Sequence, residues 1–421
     1  MSFCIHVPRF LRENRILCGI KNRIERFAVE KTVFLFLLGA FPFFQLLPHP
    51  TLWLLVLTAV LLFLHALTEL CQAYVTLDVC DLLVLGVLAL QISSAFTGYG
   101  RARDAWAAAL LTSVWFPARR FFRAGGAQCF VLCSSFSLLL TSAIGVGEYL
   151  FGRAELRWVD ATRFGDIGGR VTSLFSNPNI LAVYLLLMLP FSLGAAFSVH
   201  TKGKLRIFYV ITALFCISCI FLTWSRGAWL GLFCELAIFA FLHSRRMRKL
   251  ALAIAPLVLL AIPLFPNSIR GRLFSIGDLY ESSNRYRLHT WQGTLKMLAT
   301  HPFGIGVGER AWRTVYPHYA LSGTATVMHA HNVFLQVATE LGAVGFVLFL
   351  SLLIISLLRA FQRGDLAPAA AICGTLIMGS FDHLWYFPAM LLLLYGFLAL
   401  CCESGRKEVK KSPFVDILHE N

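Results

Sequence analysis

Long uncharged apolar runs recur along almost the whole chain, and that feature dictates what it can fold into. About 20 apolar residues cross a bilayer as a helix, with the backbone hydrogen-bonded internally. Twelve such segments can be marked, at about 33–47, 52–67, 82–96, 105–117, 127–149, 180–198, 207–224, 227–242, 250–264, 333–358, 366–384 and 386–402. Several are shorter than 20 residues, and the one at 105–117 is the weakest. Hydrophobic residues make up 58% of the chain and charged residues 14%, against roughly 25% charged in an average soluble protein. A disordered chain, a collagen and an ordinary cytosolic enzyme are thereby excluded. The pattern predicts an all-α polytopic membrane protein with about 12 transmembrane helices.

The basic residues set its orientation. They cluster between the runs: Arg119, Arg120 and Arg123; Lys202, Lys204 and Arg206; Arg245, Arg246, Arg248 and Lys249. The net charge of +15 therefore reads as the positive-inside pattern, and no nucleic acid is expected as a partner. Residues 1–31 carry seven basic residues and no apolar h-region, so they read as a cytoplasmic N-terminal segment rather than a signal peptide. The membrane domain then runs over 32–402, and 403–421, with Arg406, Lys407, Lys410 and Lys411, is a cytoplasmic tail. None of the twelve cysteines lies in a predicted outer loop, so a disulfide framework is not expected.

Two outer segments are long enough to do chemistry, about 150–179 and 265–332. The second holds a predicted helix. Ser282, Ser283 and Asn284 offer its cap, Leu288, Trp291, Leu295 and Leu298 recur at helical spacing, and His301-Pro302 ends it. That stripe lies on the outer membrane surface or, the favoured reading, packs on the bundle.

Arg226, in Thr223-Trp224-Ser225-Arg226-Gly227, sits at a tight outer turn beside a helix N-terminus, which together make a phosphate site. The plainer reading is an arginine that reaches for lipid headgroups beside a belt tryptophan. Arg287, at the start of the loop helix, combines the same elements; its alternative is a solvated surface charge, with Arg285 as competitor. In Met328-His329-Ala330-His331-Asn332, a histidine at the membrane boundary is a candidate base. On a continuing helix His329 would point about 200° away from His331. No third outer ligand has metal-site spacing, so no metal and no cofactor are expected. Gly304-Ile305-Gly306-Val307-Gly308 reads as a turn, since neither a strand nor Lys-Ser/Thr flanks it. Within the runs Glu235, Glu340 and Asp382 stand out, because acids in a bilayer are costly. Glu340 lies about 13 Å along a helix from His331, too deep to touch it. Asp382, beside His383, falls near the outer end of its run, within reach of the outer site.

Several of these motifs resemble those of O-antigen ligases and polymerases. His331-Asn332, nine residues, then Gly342-Ala343-Val344-Gly345 resembles the family's histidine–glycine signature. Ser225-Arg226-Gly227 resembles its arginine turn. Arg287-Leu288-His289-Thr290-Trp291, followed by His301-Pro302-Phe303-Gly304-Ile305-Gly306, resembles the start of its large periplasmic loop. Phe175-Ser176-Asn177-Pro178-Asn179 resembles its upstream motif. The likeness covers about 170–345 as the core, with 265–332 as the outer loop. It implies a metal-independent glycosyltransferase of the inner membrane that moves a glycan from a polyprenyl-pyrophosphate carrier to a hydroxyl of a glycan, lipid or protein acceptor. His331, Arg226 and Arg287 would be catalytic, and Arg226, Arg287, Asn332, Asn177, Asn179 and Asp382 would bind substrate. Membrane lipids complete the partners. The alternatives are a polytopic transporter, of which no internal repeat speaks, and a non-catalytic scaffold for envelope assembly, which leaves the arginines and histidine unexplained.

Overall fold

Where lipid leaves a backbone no water to bond, an apolar run folds as a helix. The computed structural model describes residues 2–6, 29–70, 74–156, 168–383 and 389–403. The predicted tail from 404 onward and most of the N-terminal segment lie outside them. Sixteen α-helices follow one another among the described residues: α1 Val29–Gly39, α2 Pro50–Leu70, α3 Val79–Ser93, α4 Ala102–Thr112, α5 Trp115–Arg123, α6 Ala127–Leu150, α7 Pro178–Phe197, α8 Gly203–Leu222, α9 Arg226–Leu242, α10 Arg245–Ala261, α11 Asn267–Phe274, α12 Ser282–Thr300, α13 Glu309–Val315, α14 Val333–Arg363, α15 Leu366–Gly379 and α16 Ala389–Glu403. Six are long and apolar enough to cross a membrane: α2, α3 with its 3-10 extension to Phe96, α6, α7, α8 and α14. Helices α15 and α16 are apolar but shorter. The run at 105–117 is broken between α4 and α5. The N-terminal segment, expected as a plain lead-in, contributes a strand: Ser2–His6 pairs antiparallel with Tyr74–Asp78.

Helix α7 is the axis of the bundle. It is apolar all round, and its residues from Ile180 to Leu193 are buried, as befits a helix with no polar face to turn outward. It packs against α6, α8, α9 and α15. Helix α2 differs: Leu52, Trp53, Val56 and Phe63 are exposed along one side, as a lipid-facing surface requires.

The bundle has two polar ends. At one, Arg119 is buried and pairs with Asp78 at 2.9 Å, Asp81 at 2.7 Å and Glu403, while Arg359 reaches Asp78 at 2.8 Å. This knot ties α3, α5, α14 and α16 together. It holds Asp78 well below the ordinary carboxylate range, since the hydrogen bonds and charges of Arg119 and Arg359 overcome the burial that opposes ionisation. Arg119, read from the sequence as one of a cluster of inner charges, is thus an internal clasp.

At the other end α14 is interrupted. Gly342 has φ 72° and ψ −176°, a conformation essentially confined to glycine. Backbone groups around the break turn to the loop before α13: Ile305 N–H donates to Thr339 O at 2.8 Å, Gly306 N–H to Glu340 O at 3.1 Å, and Ala343 N–H to Pro302 O at 2.9 Å. The loop and α14 touch so closely that a Cβ on Gly342 would meet the Phe303 carbonyl carbon at 2.5 Å. Three residues on, Gly345 lets α3 come close: an added Cβ would lie within 3.3 Å of Leu90.

Candidate functional site

The site is assembled where α7, α9 and α14 begin, and asparagines cap the starts of α7 and α14. Asn332 caps α14: its Oδ1 accepts Phe334 N–H at 2.9 Å and Leu335 N–H at 3.0 Å, and its Nδ2 donates to Ser380 O at 3.0 Å. Asn177 caps α7 by accepting Asn179 N–H at 2.8 Å, with Pro178 at the first helical position. Both asparagines, expected as substrate-binding, are engaged by their own helices. The predicted serine and asparagine cap of α12 is displaced by Glu281, whose carboxylate accepts Asn284 N–H at 2.9 Å. Helix α12 also turns its polar side inward: Thr290, Gly293, Thr294 and Met297 are buried, while Leu288 and Leu295 of the predicted packing stripe are exposed.

His331 precedes the α14 cap in left-handed backbone, φ 49°. No helix continues back from it, so the expected separation from His329 does not arise, and the two rings lie 4.2 Å apart. Trp291 Nε1 donates to His331 O at 3.4 Å. The imidazole Nδ1 lies 3.1 Å from Asp382 Oδ1 and is the donor, because an ionised carboxylate only accepts. Asp382 Oδ1 also accepts His383 N–H at 2.8 Å, and Oδ2 accepts Asn179 Nδ2 at 2.8 Å. Asn179 Oδ1 in turn accepts Arg170 Nη2 at 2.8 Å. Burial works to raise the Asp382 pKa, but the hydrogen bond and charge of His331, with His329 and Arg287, hold it far below the ordinary carboxylate range. Burial, then neighbouring His331, pushes His329 down to about 4.

Four arginines converge beside this chain of hydrogen bonds. Arg170, Arg226, Arg272 and Arg287 line a cavity of about 90 Å³ with Asn179 and Asp382. Arg170 Nε donates to Thr223 O at 2.6 Å and Arg272 Nε to Trp224 O at 3.3 Å, so two arginines take carbonyls of the three-residue turn into α9. Trp224 in that turn has φ 52°. Arg226 is held by Ser275 O at 3.0 Å and by Glu281 at 2.8 Å. Arg287 donates to Ser283 Oγ at 3.0 Å, and its buried Nε has no partner among the described residues. Burial depresses the pKa of Arg287, with Asp382 pulling it back and Arg226 pushing it further. For Arg170 the push comes from burial and then Arg272. Like charges gathered this way are relieved by an anion.

The structure thus brings Arg226, Arg287, Asn179 and Asp382 together around one cavity, with His331 bonded to it through Asp382. Sequence reasoning missed Arg170 and Arg272. Both lie in predicted outer segments, but so do Arg153, Arg270, Arg285, Arg310 and Arg313, so sequence position alone did not single them out. Sequence reasoning also missed that Asp382 completes a set with His329 and His331, whose ligand atoms lie within 4.8 Å of one another, close enough to hold a metal ion. Glu340 does not reach His331; it accepts Gln336 Nε2 at 2.9 Å and Gly308 N–H at 3.3 Å. Glu235 is fully buried on α9, away from the cavity, and both its carboxylate oxygens are unpartnered among the described residues. The Gly304–Gly308 run docks against α14 and holds no phosphate loop.

Residues 211–350 match the family model described as O-antigen ligase. This stretch contains Arg226, Arg272, Arg287 and His331; Arg170, Asn179 and Asp382 lie outside it. No curated protein sequence matches the chain.

Proposed function

We propose, for a chain that is O-antigen ligase-like over residues 211–350, that it is a metal-independent glycosyltransferase. It takes a glycan from a polyprenyl-pyrophosphate carrier and passes it to an acceptor hydroxyl on the extracytoplasmic face of the inner membrane. In this reading the twelve apolar runs cross or enter the bilayer, both termini are cytoplasmic, and 265–332 forms the large outer loop. The exposed Leu288 and Leu295 of α12 then face the outer leaflet.

The observation that carries the reading is the arginine cavity beside His331–Asp382. Four arginines line this cavity together with Asp382, and Glu281 stands behind Arg226. Guanidinium groups gathered around one cavity suit a pyrophosphate leaving group. Breaking the bond from sugar C1 to the carrier oxygen sends its electron pair onto that pyrophosphate, and fixed guanidinium groups stabilise the developing charge. The acceptor oxygen forms the new bond to C1 and gives up its proton. With Nδ1–H held by Asp382, the other ring nitrogen of His331 is the free acceptor, so His331 takes that proton as general base. Direct displacement inverts the anomeric centre. Asp382 orients the imidazole and stabilises its charged form, the division of labour found in carboxylate–histidine pairs generally.

The test uses purified protein in nanodiscs with lipid-linked glycan from the host membrane, following release of polyprenyl pyrophosphate and growth of acceptor glycan. Acceptor-dependent release, unchanged by EDTA, is expected. No release would remove the transferase reading. Release only with a divalent ion would make His329, His331 and Asp382 metal ligands and end the general-base scheme.

A further inference from the structure

The chain before α14 sets two imidazoles and a carboxylate where one ion can reach all three. On a helix, side chains two residues apart point to different faces. The left-handed backbone of His331 instead leaves its ring 4.2 Å from that of His329, centroid to centroid. Asp382 arrives from the segment after α15, and the ligand atoms of His329, His331 and Asp382 all lie within 4.8 Å of one another. One pair, His331 Nδ1 and Asp382 Oδ1, is separated by 3.1 Å. A tetrahedral zinc ion with bonds of about 2.0–2.1 Å holds its ligand atoms about 3.3 Å apart. That pair therefore already stands near a zinc ligand spacing, with His329 in side-chain reach.

Side chains that bind a metal are themselves held by outer contacts, and Asp382 is so held. Its Oδ2 accepts Asn179 Nδ2 at 2.8 Å, and its Oδ1 accepts His383 N–H at 2.8 Å, which leaves Oδ1 one further lone pair for an ion. All three side chains are half-buried. His329 lines a cavity of about 1000 Å³ whose rim residues Arg101 and Arg310 are exposed, so an ion has a route in. Two imidazoles with one carboxylate suit zinc or a similar transition ion, whereas magnesium and calcium take oxygen ligands. Three protein ligands leave a fourth position for water. Asp382 also lines the arginine cavity, and the guanidinium charges there oppose a cation. The ion is therefore exchangeable, and a chelator removes it.

We propose that His329, His331 and Asp382 form a zinc site, and that zinc bound there switches transfer off. The effect, though not the binding, rests on the transferase reading above. Without zinc, Nδ1 of His331 carries the ring's proton and the other ring nitrogen, Nε2, offers its lone pair to the acceptor hydroxyl. Zinc takes a lone pair of Nδ1 and one of Asp382 Oδ1, in place of the hydrogen bond between them. The single ring proton then sits on Nε2. The imidazole gains and loses no proton overall, but the nitrogen that had to accept the hydroxyl proton has become a donor. Asp382, its charge shared with the metal, no longer stabilises an imidazolium.

The experiment uses the full chain in nanodiscs, without a histidine tag and washed with EDTA. Cobalt chloride is the spectroscopic probe, because four-coordinate Co(II) absorbs visible light far more strongly than the hydrated ion. Cobalt should bind with that absorption, zinc should displace it, and magnesium should not. His329→Ala should remove the absorption, and His329→Gln serves where alanine unfolds the protein. In the transfer assay, micromolar zinc should inhibit the wild type at least about tenfold, the lower side of what a general base contributes, and EDTA should restore it. The residual transfer of the His329 variant should need at least about tenfold more zinc for the same inhibition, since losing a ligand costs no less than losing an outer contact. Cobalt absorption that is missing, or unchanged in both His329 variants, would overturn the proposal. So would transfer that zinc leaves alone or raises. Equal inhibition of wild type and variant would overturn it too, as zinc captured by the donor's pyrophosphate acts on both alike. Cobalt held by the wild type and lost in the variant, in a protein that shows no transfer under any condition, would uphold the site and overturn the transferase reading instead.

Discussion

Asp382→Asn is the sharpest perturbation available, because the hydrogen bonds around Asp382 run in one direction. Arg170 donates to Asn179, Asn179 to Asp382, and both His331 Nδ1 and His383 N–H also donate to Asp382. An asparagine there keeps the shape but must turn its Oδ1 toward the two histidine donors. Its Nδ2 then faces Asn179 Nδ2, donor against donor. Flipping Asn179 relieves that contact only by setting its own amide nitrogen against Arg170. One partly buried donor is left unsatisfied either way, costing about 1–3 kcal/mol, with a further 1.5–3 for the lost charge-assisted bond. Transfer should fall further than stability suggests, since general-base catalysis is typically worth about 10²–10⁴-fold. The double variant Asp382→Asn/Asn179→Asp restores a consistent direction. The carboxylate introduced at position 179 accepts from both Arg170 and the amide introduced at position 382, and the oxygen of that amide accepts from the histidines. Thermal unfolding should recover most of the loss. Transfer with lipid-linked donor should stay at least about tenfold down, because the carboxylate no longer touches the imidazole. Wild-type turnover in the single variant, or a double variant no more stable than the single, would refute this account.

The remaining expectations concern the arginines, the histidines and the break in α14. Arg287→Lys should impair transfer by about 2–4 kcal/mol of transition-state stabilisation with little change in unfolding temperature. Arg226→Lys should lower both, because its fork is spent on Ser275 and Glu281; equal stability of the two variants would contradict that division. His331→Ala should abolish transfer while carrier-linked donor accumulates in cells, and His329→Ala should be milder; the reverse order, measured on purified enzyme, would move the base to His329. Gly342→Ala should cost at least about 1–3 kcal/mol from its backbone conformation alone and reduce transfer with it, and unchanged unfolding would mean that the loop does not dock there.

Much of this arrangement was legible in the sequence because composition and period are local. Apolar runs mark α2, α6, α7, α8 and α14 to within a few residues, since a helix that meets lipid or core needs little else. The runs at 33–47 and 105–117 mislead for the same reason: apolar content does not reveal a 3-10 turn or a break between α4 and α5. Arg226, Arg287 and His331 were visible through their setting at helix starts. Arg170 and Arg272 were not, because their part comes from reaching across to the carbonyls of Thr223 and Trp224, which only the tertiary fold brings near. The apolar stripe on α12 misled because the pattern alone does not say whether lipid or protein covers it.

The spacing from His331 to Gly342 has a physical reason that the periodicity hid. Between Asn332 and Gly342 runs a helical piece of nine residues, about 13 Å long. Asn332 closes its upper end by capping, and the break at Gly342 closes its lower end by giving the Thr339 and Glu340 carbonyls to Ile305 and Gly306. Within the piece, Gln336 Oε1 accepts Ala330 N–H at 2.8 Å, and Gln336 Nε2 donates to Glu340. The residue just before His331 is therefore anchored to the same piece that the loop grips from below. Gly304, at φ 87°, lets the loop come so near that a Cβ there would meet Glu340 O at 2.6 Å. The loop is thereby linked through Glu340 and Gln336 to the backbone just before His331, so the general-base proposal predicts that Gly304→Ala, like Gly342→Ala, lowers transfer along with stability, and a Gly304→Ala enzyme of wild-type turnover and unfolding temperature would refute that link.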